Sequence, residues 1–122
     1  LKLEREKIEA LKNIEISKLT QLMNLKGSFP KLNYVFNDIT GIVEINKPIF
    51  QIGRDTNNDF YIQLNTVSKI HATISFNENG YFTIKDNNSS NGTFVNGERI
   101  NELELKNGDF IEIGDIGITF QN

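Results

Sequence analysis

The sequence of 122 residues contains no cysteine and no tryptophan, and only one histidine. Without cysteine the chain forms no disulfide and offers no thiolate to a metal, and one histidine adds little to a ligand set. We therefore expect no metal and no cofactor. A lone histidine without an orienting acid also makes a catalytic triad improbable, so the composition argues against an enzyme.

Long apolar runs are also missing. No run approaches the roughly 20 residues that a membrane-spanning helix needs, and no secretory leader is visible. The absence of cysteine fits a reducing compartment. We expect no membrane insertion and a cytoplasmic location, or a place on the cytoplasmic side of a larger protein.

Basic charge is scarce over most of the chain. Residues 1–28 hold six Lys/Arg and four Asp/Glu, or +2, whereas residues 29–122 hold seven basic and twelve acidic residues, or −5. Nucleic-acid binding needs a basic face, so we expect no nucleic-acid partner. An anion site in this acidic body has to be local, built from one or two cations and backbone N–H groups.

Residues 1–26 have the apolar spacing and the Glu/Lys content of a helix, which Gly27 and Pro30 end. Two interpretations stay open for this segment. It is a linker helix or a helix packed on the domain, or it is a coiled-coil arm that makes a homodimer through residues 1–28. We assign residues 1–28 to the N-terminal helix and linker and residues 29–122 to one domain.

After Pro30 the pattern changes to short alternating runs. The most regular covers 70–76, where Ile70 and the even-numbered residues after it are apolar and alternate with His71, Thr73 and Ser75, as in a half-buried strand. Other strands are expected at 31–36, 42–45, 49–52, 60–64, 81–85, 110–113 and 116–120. Turns are expected at 37–41, 77–80, Asn96-Gly97 and Asn107-Gly108. About ten short strands with turns so close together predict an all-β sandwich or barrel.

Arg54 follows the strand that ends at Gly53. Its guanidinium could make charge-assisted hydrogen bonds to a phosphate. Alternatively, it could be a surface arginine paired with Asp55 or Asp59. Taken alone, the residue does not decide between these interpretations.

Ser68 and Lys69 lie just before the strand at 70–76, where they could serve an anion or simply begin the strand. Residues three apart in a strand point to opposite faces, so Ser68 and His71 should not form a nucleophile–base pair. We interpret His71 as a structural residue whose ring bonds to loop backbone and braces the site.

The run Ser89-Ser90-Asn91-Gly92 predicts a turn in which Gly92 supplies a positive φ. Asn91 offers both a donor and an acceptor, which suits it to bind a peptide backbone. Asn and Ser are also ordinary turn residues, so this motif alone does not establish a site.

The three motifs together, on this β pattern, resemble the forkhead-associated (FHA) domain. The family pattern is Gly-Arg, then Ser-x-x-His, then Asn-Gly, and the matching residues are Gly53-Arg54, Ser68-Lys69-Ile70-His71 and Asn91-Gly92. The resemblance covers roughly residues 31–121. It implies a β-sandwich of about eleven strands, here preceded by one N-terminal α-helix.

The resemblance also implies that loops at one end of the sandwich bind phosphothreonine. Carried over by position, Arg54 and Ser68 hold the phosphate and Lys69 assists. Ser90 contacts the phosphate or lines the slot for the threonine methyl group, and Asn91 bonds the peptide main chain. Gly53, His71 and Gly92 are then architectural.

Two positions depart from the family pattern. Lys69 stands where Arg or Asn is frequent, and Ser90 stands where Thr is common. Thr66 occupies a place where some members have an arginine that reads an acidic residue three positions after the phosphothreonine. We therefore predict no acidic preference, and the loop at 114–117 is a second candidate for contacting that residue.

The leading hypothesis is a non-catalytic signalling module that binds a phosphothreonine-containing protein or peptide. Its partner is a Ser/Thr-kinase substrate or a phosphorylated segment of its own parent chain. The alternative is an assembly domain that needs no phosphate and is dimerised by the N-terminal helix.

Overall fold

A computed structural model describes residues 19–21, 27–77 and 79–122. Residues 19–21 are helical, and the Leu19 side chain is only 3% exposed because it joins the hydrophobic core. The rest of the helix predicted at 1–26 lies outside the described residues, as does the coiled-coil arm predicted from the same segment.

Beyond Pro30 the described chain consists of short strands joined by turns. The strands are β1 (Lys31–Phe36), β2 (Ile39–Glu44), β3 (Ile49–Gly53), β4 (Phe60–Tyr61), β5 (Ala72–Phe76), β6 (Phe82–Asp86), β7 (Thr93–Val95), β8 (Glu98–Ile100), β9 (Glu102–Leu105), β10 (Phe110–Ile113) and β11 (Ile116–Gln121). These bounds confirm the all-β prediction of about eleven strands.

The strands form two sheets. The first has the order β2-β1-β11-β10-β7-β8 and the second the order β4-β3-β5-β6-β9. The pairing of β3 with β4 is parallel, and the other registered pairs are antiparallel. The first and last strands lie side by side, with Leu32 opposite Phe120.

The core lies between the inner faces of these sheets. Alternate residues of β5 and β11 are buried, as expected for strands with one face on a core. Phe82 from one sheet contacts Phe120 from the other, with ring centroids 5.7 Å apart. The two-sheet architecture is therefore a β-sandwich.

The strand predicted at 70–76 is wrong at its start. Strand β5 begins at Ala72, residues 69–70 form a turn, and Ile70 is 47% exposed. His71, which the alternation placed on the polar face, is fully buried. The reason is that both ring nitrogens of His71 find hydrogen-bond partners inside the fold, as described below.

Two other strand boundaries differ from the prediction. The turn predicted at 37–41 is shorter, because Asn37 takes a positive φ of 52° and β2 already begins at Ile39. The strand predicted at 60–64 ends at Tyr61, after which Leu64 begins a turn whose N–H···O bond runs from Val67 to the Leu64 carbonyl at 3.0 Å.

The Asn96-Gly97 prediction is confirmed. Both residues have positive φ, 51° and 85°, as the two-residue hairpin between β7 and β8 requires. Among the described residues, no helix is long and apolar enough to cross a membrane.

Candidate functional site

Loops from three parts of the chain meet at one end of the sandwich and enclose an open cleft of about 240 Å³. The cleft contains all five residues that the sequence predicts for phosphopeptide binding, together with three that it did not assign to the site. Its lining is Arg54, Asn65, Thr66, Val67, Ser68, Lys69, Ser90 and Asn91. Its two basic residues, Arg54 and Lys69, make it a place where an anion would be stabilised.

Arg54 directly follows the last residue of β3, and a backbone hydrogen bond holds it in place. Its N–H donates to the Ser68 carbonyl at 2.9 Å, which fixes the first loop against the second. Across the described ranges the Arg54 side chain has no hydrogen bond or ion pair, so the predicted alternative of a pair with Asp55 or Asp59 is not formed. The guanidinium therefore keeps its five N–H donors for a ligand.

Asp59 is held by other groups. Its carboxylate accepts from the Lys47 ammonium at 2.6 Å and from the Gln51 N–H at 2.9 Å. Partial burial raises the pKa of the Asp59 carboxyl, but these hydrogen bonds outweigh it, and the pKa lies below its ordinary value. Asp59 is thus already paired with Lys47 and does not compete for Arg54.

Ser68 links the second loop to the third. Its Oγ accepts a hydrogen bond from the Ser90 N–H at 3.0 Å. Because this bond uses the oxygen as an acceptor, the hydroxyl proton is left to donate to an acceptor in the cleft. Ser68 Oγ is not bonded to His71, so the two do not form a nucleophile–base pair.

Asn91 is oriented by the second loop. Its side-chain Nδ2 donates to the Thr66 carbonyl at 2.8 Å, while the residue itself is exposed. The amide oxygen has no partner within the described part of the chain, and one N–H of the amide group is also unused. Asn91 can therefore both accept from and donate to the main chain of an extended peptide.

His71 lies beneath the cleft with no exposed surface. The Ser68 N–H donates to its Nδ1 at 3.0 Å, so the ring proton lies on Nε2, which donates to the Gly92 carbonyl at 2.8 Å. The His71 backbone N–H also donates to the Ile52 carbonyl at 2.8 Å. The His71 side chain thus ties the second and third loops together, and its backbone N–H fixes the residue to β3.

Two glycines permit the close approach of these loops. A Cβ at Gly53 would collide with the Lys69 carbonyl oxygen and would stand 2.7 Å from the Asn58 Nδ2. Gly92 has a φ of 88°, which an L side chain rarely adopts, and a Cβ there would stand 2.8 Å from the Arg99 Nε. Both positions therefore require glycine for geometric reasons.

The sequence analysis missed Asn58 as part of the site. Asn58 is 7% exposed, and its Nδ2 donates to the carbonyls of Asp55 and Lys69 at 2.8 and 2.7 Å. These bonds hold the first and second loops together below the cleft. An asparagine before a strand is an ordinary turn residue, so nothing in its local sequence indicated this role.

A second missed group surrounds Asp86 at the start of the third loop. Asp86 accepts from the hydroxyl of Ser89 at 2.5 Å, from the hydroxyl of Thr93 at 2.7 Å and from the Ser89 N–H at 3.1 Å. Burial raises the pKa of the Asp86 carboxyl, but these hydrogen bonds lower the pKa by more than burial raises it. The pKa therefore lies below its ordinary value. Ser89 also accepts from the Gly92 N–H at 2.9 Å, which closes the loop.

The described residues contain no group of three or more His, Cys, Asp or Glu side chains that could hold a metal ion. The chemistry that the cleft offers is hydrogen-bond donation and positive charge, which suit a bound anion attached to a peptide.

Comparison with known proteins identifies a match to the family model described as FHA domain over residues 50–114. That range includes all eight residues assigned to the site from the sequence. The chain is 43% identical over 70 residues to the ABC transporter ATP-binding/permease protein Rv1747 of Mycobacterium tuberculosis, covering 57% of this chain and 8% of that protein.

A second relative is the glycogen accumulation regulator GarA of Mycolicibacterium smegmatis. It is 36% identical over 76 residues, which cover 62% of this chain and 48% of GarA. The chain thus spans about half of GarA and a small part of the transporter protein.

Solved structures share the architecture. One, from a structural and functional analysis of phosphothreonine-dependent FHA domain interactions, superposes with a TM-score of 0.67 at 26% identity, covering 75% of this chain and 96% of that one. The near-complete coverage shows that the sandwich corresponds to that entire domain.

Proposed function

The chain belongs to the FHA family, and on that premise we propose that its sandwich binds phosphothreonine on a protein partner through the cleft at the loop end. The observation that carries this proposal is the convergence of Arg54, Ser68 and Asn91, from three loops, on one cleft. The domain at 29–122 is the binding unit in this proposal.

The electrostatics of the cleft fit a phosphate group. A phosphothreonine carries about −1.5 to −2 charges and three strong acceptor oxygens. The free guanidinium of Arg54 supplies planar, bidentate donation, and the proton of the Ser68 hydroxyl supplies a further donor. Lys69 adds a second positive charge from the exposed rim of the cleft.

The remaining residues read the peptide around the phosphate. Ser90 contacts the phosphate or lines the slot for the threonine methyl group. Asn91 bonds the peptide main chain with the amide oxygen and the second N–H that the fold leaves unused. Because the Asn91 contacts are made to main-chain atoms of the peptide, they favour an extended, unfolded segment over a folded surface.

The same geometry favours binding over catalysis. Hydrolysis of a phosphate ester needs an activated nucleophile or a metal. Ser68 Oγ is a hydrogen-bond acceptor from Ser90, and His71 Nδ1 is occupied by a backbone N–H. The proposed module therefore holds a phosphorylated partner without changing it.

The partner we propose is a Ser/Thr-kinase substrate or a phosphorylated segment of the parent chain, which the domain binds in the cytoplasm or on the cytoplasmic side of a larger protein. Homodimerisation through residues 1–28 stays a prediction. Light scattering on the full chain and on a chain that starts at Phe29 tests it, and a monomer in both cases contradicts it.

Titration calorimetry tests the proposed function. The full chain is titrated with degenerate peptide pools that contain phosphothreonine, phosphoserine or unmodified threonine at one fixed position. We expect micromolar binding to the phosphothreonine pool, weaker binding to the phosphoserine pool and none to the unmodified pool. Equal binding of the unmodified pool, or no binding of any pool, would contradict the proposal.

A further inference from the structure

Arg99 is a further cation near the third loop, and the proposed function leaves it without a role. It lies on β8, opposite Phe94 of β7. The residue is exposed, and it does not line the cleft. In the described part of the chain its guanidinium has no hydrogen bond and no ion pair. An arginine without a partner keeps all its N–H donors available for an anion.

The Arg99 side chain lies against the third loop. A Cβ built on Gly92 would stand 2.8 Å from the Arg99 Nε and 3.1 Å from its Cζ. Gly92 directly follows Asn91, the residue that we propose binds the peptide main chain. Because Gly92 has no side chain, the guanidinium comes within reach of a peptide bound at Asn91.

The acidic side chains around Arg99 do not neutralise it. Glu98 is its neighbour in sequence, but successive residues of a strand point to opposite faces. Glu112 lies on the same face of the sheet, but Phe94 separates the two, since Phe94 pairs with Glu112 on one side and with Arg99 on the other. The carboxylate of Asp86 accepts from two hydroxyl groups of the third loop and β7. The guanidinium is therefore an unpaired positive charge beside the peptide site.

A series of contacts leads from the phosphate-binding residues to Arg99. Ser68 Oγ accepts from the Ser90 N–H at 3.0 Å. Asn91 and Gly92 follow along the chain, and the Arg99 side chain lies on Gly92. Because consecutive Cα atoms are 3.8 Å apart, this path measures no more than roughly 16 Å. An extended peptide advances about 3.3 Å per residue, so it covers the path in about five residues.

We propose that Arg99 binds an anionic side chain of the same phosphorylated segment, within about five residues of the phosphothreonine. The inference rests on the proposed function, because the phosphate and Asn91 place the segment across the third loop. The anion is a carboxylate or a second phosphate, since a planar guanidinium donates two parallel hydrogen bonds to either. The sequence predicts no acidic preference through position 66, where Thr66 carries no charge, and Arg99 supplies a cation from a different strand.

A peptide scan tests this proposal. The reference is a phosphothreonine peptide with alanine at the flanking positions. Glutamate replaces alanine singly at each of the nearest positions, about six on both sides, and fluorescence anisotropy measures affinity for the full chain. At low salt we expect one or two neighbouring positions on one side to bind about three- to fivefold more tightly. The gain should disappear near 1 M salt, where the Debye length is about 3 Å.

Arg99→Glu turns the scan into a charge exchange. With this variant the glutamate peptide should bind no better than the alanine peptide, and lysine at the same position should now give a gain of similar size. The matched control is Lys106→Glu, which makes the same change of charge. Lys106 is exposed and lies between β9 and β10, at the end of β10 away from the third loop. With Lys106→Glu the glutamate gain should remain, and thermal melting checks that both variants fold.

Phosphoserine at the responding position distinguishes the two kinds of anion. If it binds the wild-type chain severalfold more tightly than glutamate does, the natural segment carries a second phosphate. If phosphoserine and glutamate bind equally, the natural ligand of Arg99 is a carboxylate.

The outcomes separate this inference from the function on which it rests. If the alanine peptide binds and no glutamate position improves affinity, the inference is wrong while the proposed function stands. The inference is also wrong if the glutamate gain survives Arg99→Glu, because another cation then binds the anion. It is equally wrong if Arg99→Glu weakens the alanine and glutamate peptides by the same factor, because Arg99 then only supports the loop. If the alanine peptide does not bind at all, the proposed function fails and the inference fails with it.

Discussion

The loop end of this domain contains two sets of polar residues that differ in burial and in hydrogen bonding. The residues that we propose for recognition, called the recognition residues below, line the cleft and are Arg54, Ser68, Lys69, Ser90 and Asn91. The support residues lie beneath them and are Asn58, His71, Asp86, Ser89 and Thr93. Both sets come from the same loops and the strand ends next to them, so they differ in depth and not in sequence region.

The support residues have their hydrogen-bonding capacity used inside the fold. His71 and Thr93 are fully buried, and Asn58 and Ser89 are each 7% exposed. Throughout the described ranges no buried side-chain nitrogen or oxygen lacks a hydrogen-bond partner. Such a satisfied network fixes loop geometry, because breaking any bond leaves a buried polar group without a partner.

The recognition residues are the opposite. Lys69, Ser90 and Asn91 are exposed, and the Arg54 and Lys69 side chains have no partner in the described structure. The support residues beneath hold the loops that carry these donors in place. This lowers the conformational entropy that is lost when a ligand binds. The comparison indicates that different residues determine ligand affinity and fold stability. Single substitutions should therefore change one of these two quantities without the other.

The largest effect should follow from His71→Ala. The substitution leaves a cavity and removes the partners of the Ser68 N–H and the Gly92 carbonyl, which should cost about 3–4 kcal/mol of unfolding free energy. Urea unfolding measures it, with Lys106→Ala as an exposed control that should change little. A loss below about 1 kcal/mol would contradict the bracing role.

Arg54→Ala should have the converse effect. We expect about a hundredfold loss of affinity for a phosphothreonine peptide, because the main charge-assisted contact is removed, with almost no change in unfolding free energy. Calorimetry and urea unfolding measure the two quantities. Arg54→Lys keeps the positive charge but loses the planar, bidentate donation of the guanidinium. Its affinity for the phosphothreonine peptide should therefore lie between those of wild type and Arg54→Ala. Unchanged affinity in Arg54→Ala would refute the role of Arg54.

Asp86→Asn should destabilise the domain by about 1 kcal/mol at neutral pH, because a charged acceptor of three hydrogen bonds is lost. The pKa of the folded carboxyl is lowered, so its contribution to stability is present above the unfolded pKa of about 3.9 and is lost as pH falls through the folded value. The difference in Tm between wild type and variant should therefore shrink below about pH 4. A difference that grows on acidification would contradict this sign.

Lys69→Ala should have the smallest effect. An exposed ammonium near a phosphate contributes a screened attraction, so we expect a three- to fivefold loss of affinity, roughly, that disappears at high salt. The control is Lys85→Ala, an exposed lysine outside the cleft, which should not change affinity. A loss for Lys69→Ala that does not depend on salt would indicate a direct, desolvated contact.

The sandwich could be predicted from the sequence because local features, namely apolar alternation and turn residues, mark the strands and the turns between them. The alternation in β5 and β11 and the Asn96-Gly97 hairpin follow from local rules that the core and the turn geometry both respect. The predicted strand alternation failed at Ile70 and His71, where hydrogen bonds to residues in other loops overrule it. The interpretation of His71 as a structural residue whose ring bonds to loop backbone agrees with its two ring hydrogen bonds. The alternation of apolar and polar residues along a strand does not show that a histidine is fully buried with both ring nitrogens hydrogen-bonded.

The resemblance predicted the residues that line the cleft and three architectural residues, Gly53, His71 and Gly92, but not the support from Asn58 and Asp86. Arg54, Ser68 and Asn91 are recognisable because the motif pattern contains them. Asn58 and Asp86 are ordinary turn residues until their partners across the chain are known.

The most direct test of the central claim is NMR mapping of a phosphothreonine peptide on the isotopically labelled chain. We expect the amide signals of Arg54, Ser68, Lys69, Ser90 and Asn91 to shift most during the titration. The signals of Phe76 and Phe82, which pair at the ends of β5 and β6 that lie away from the cleft, should stay in place. Saturable shifts centred on those two residues, or shifts of equal size with the unphosphorylated peptide, would contradict the assignment of the cleft as the phosphothreonine site.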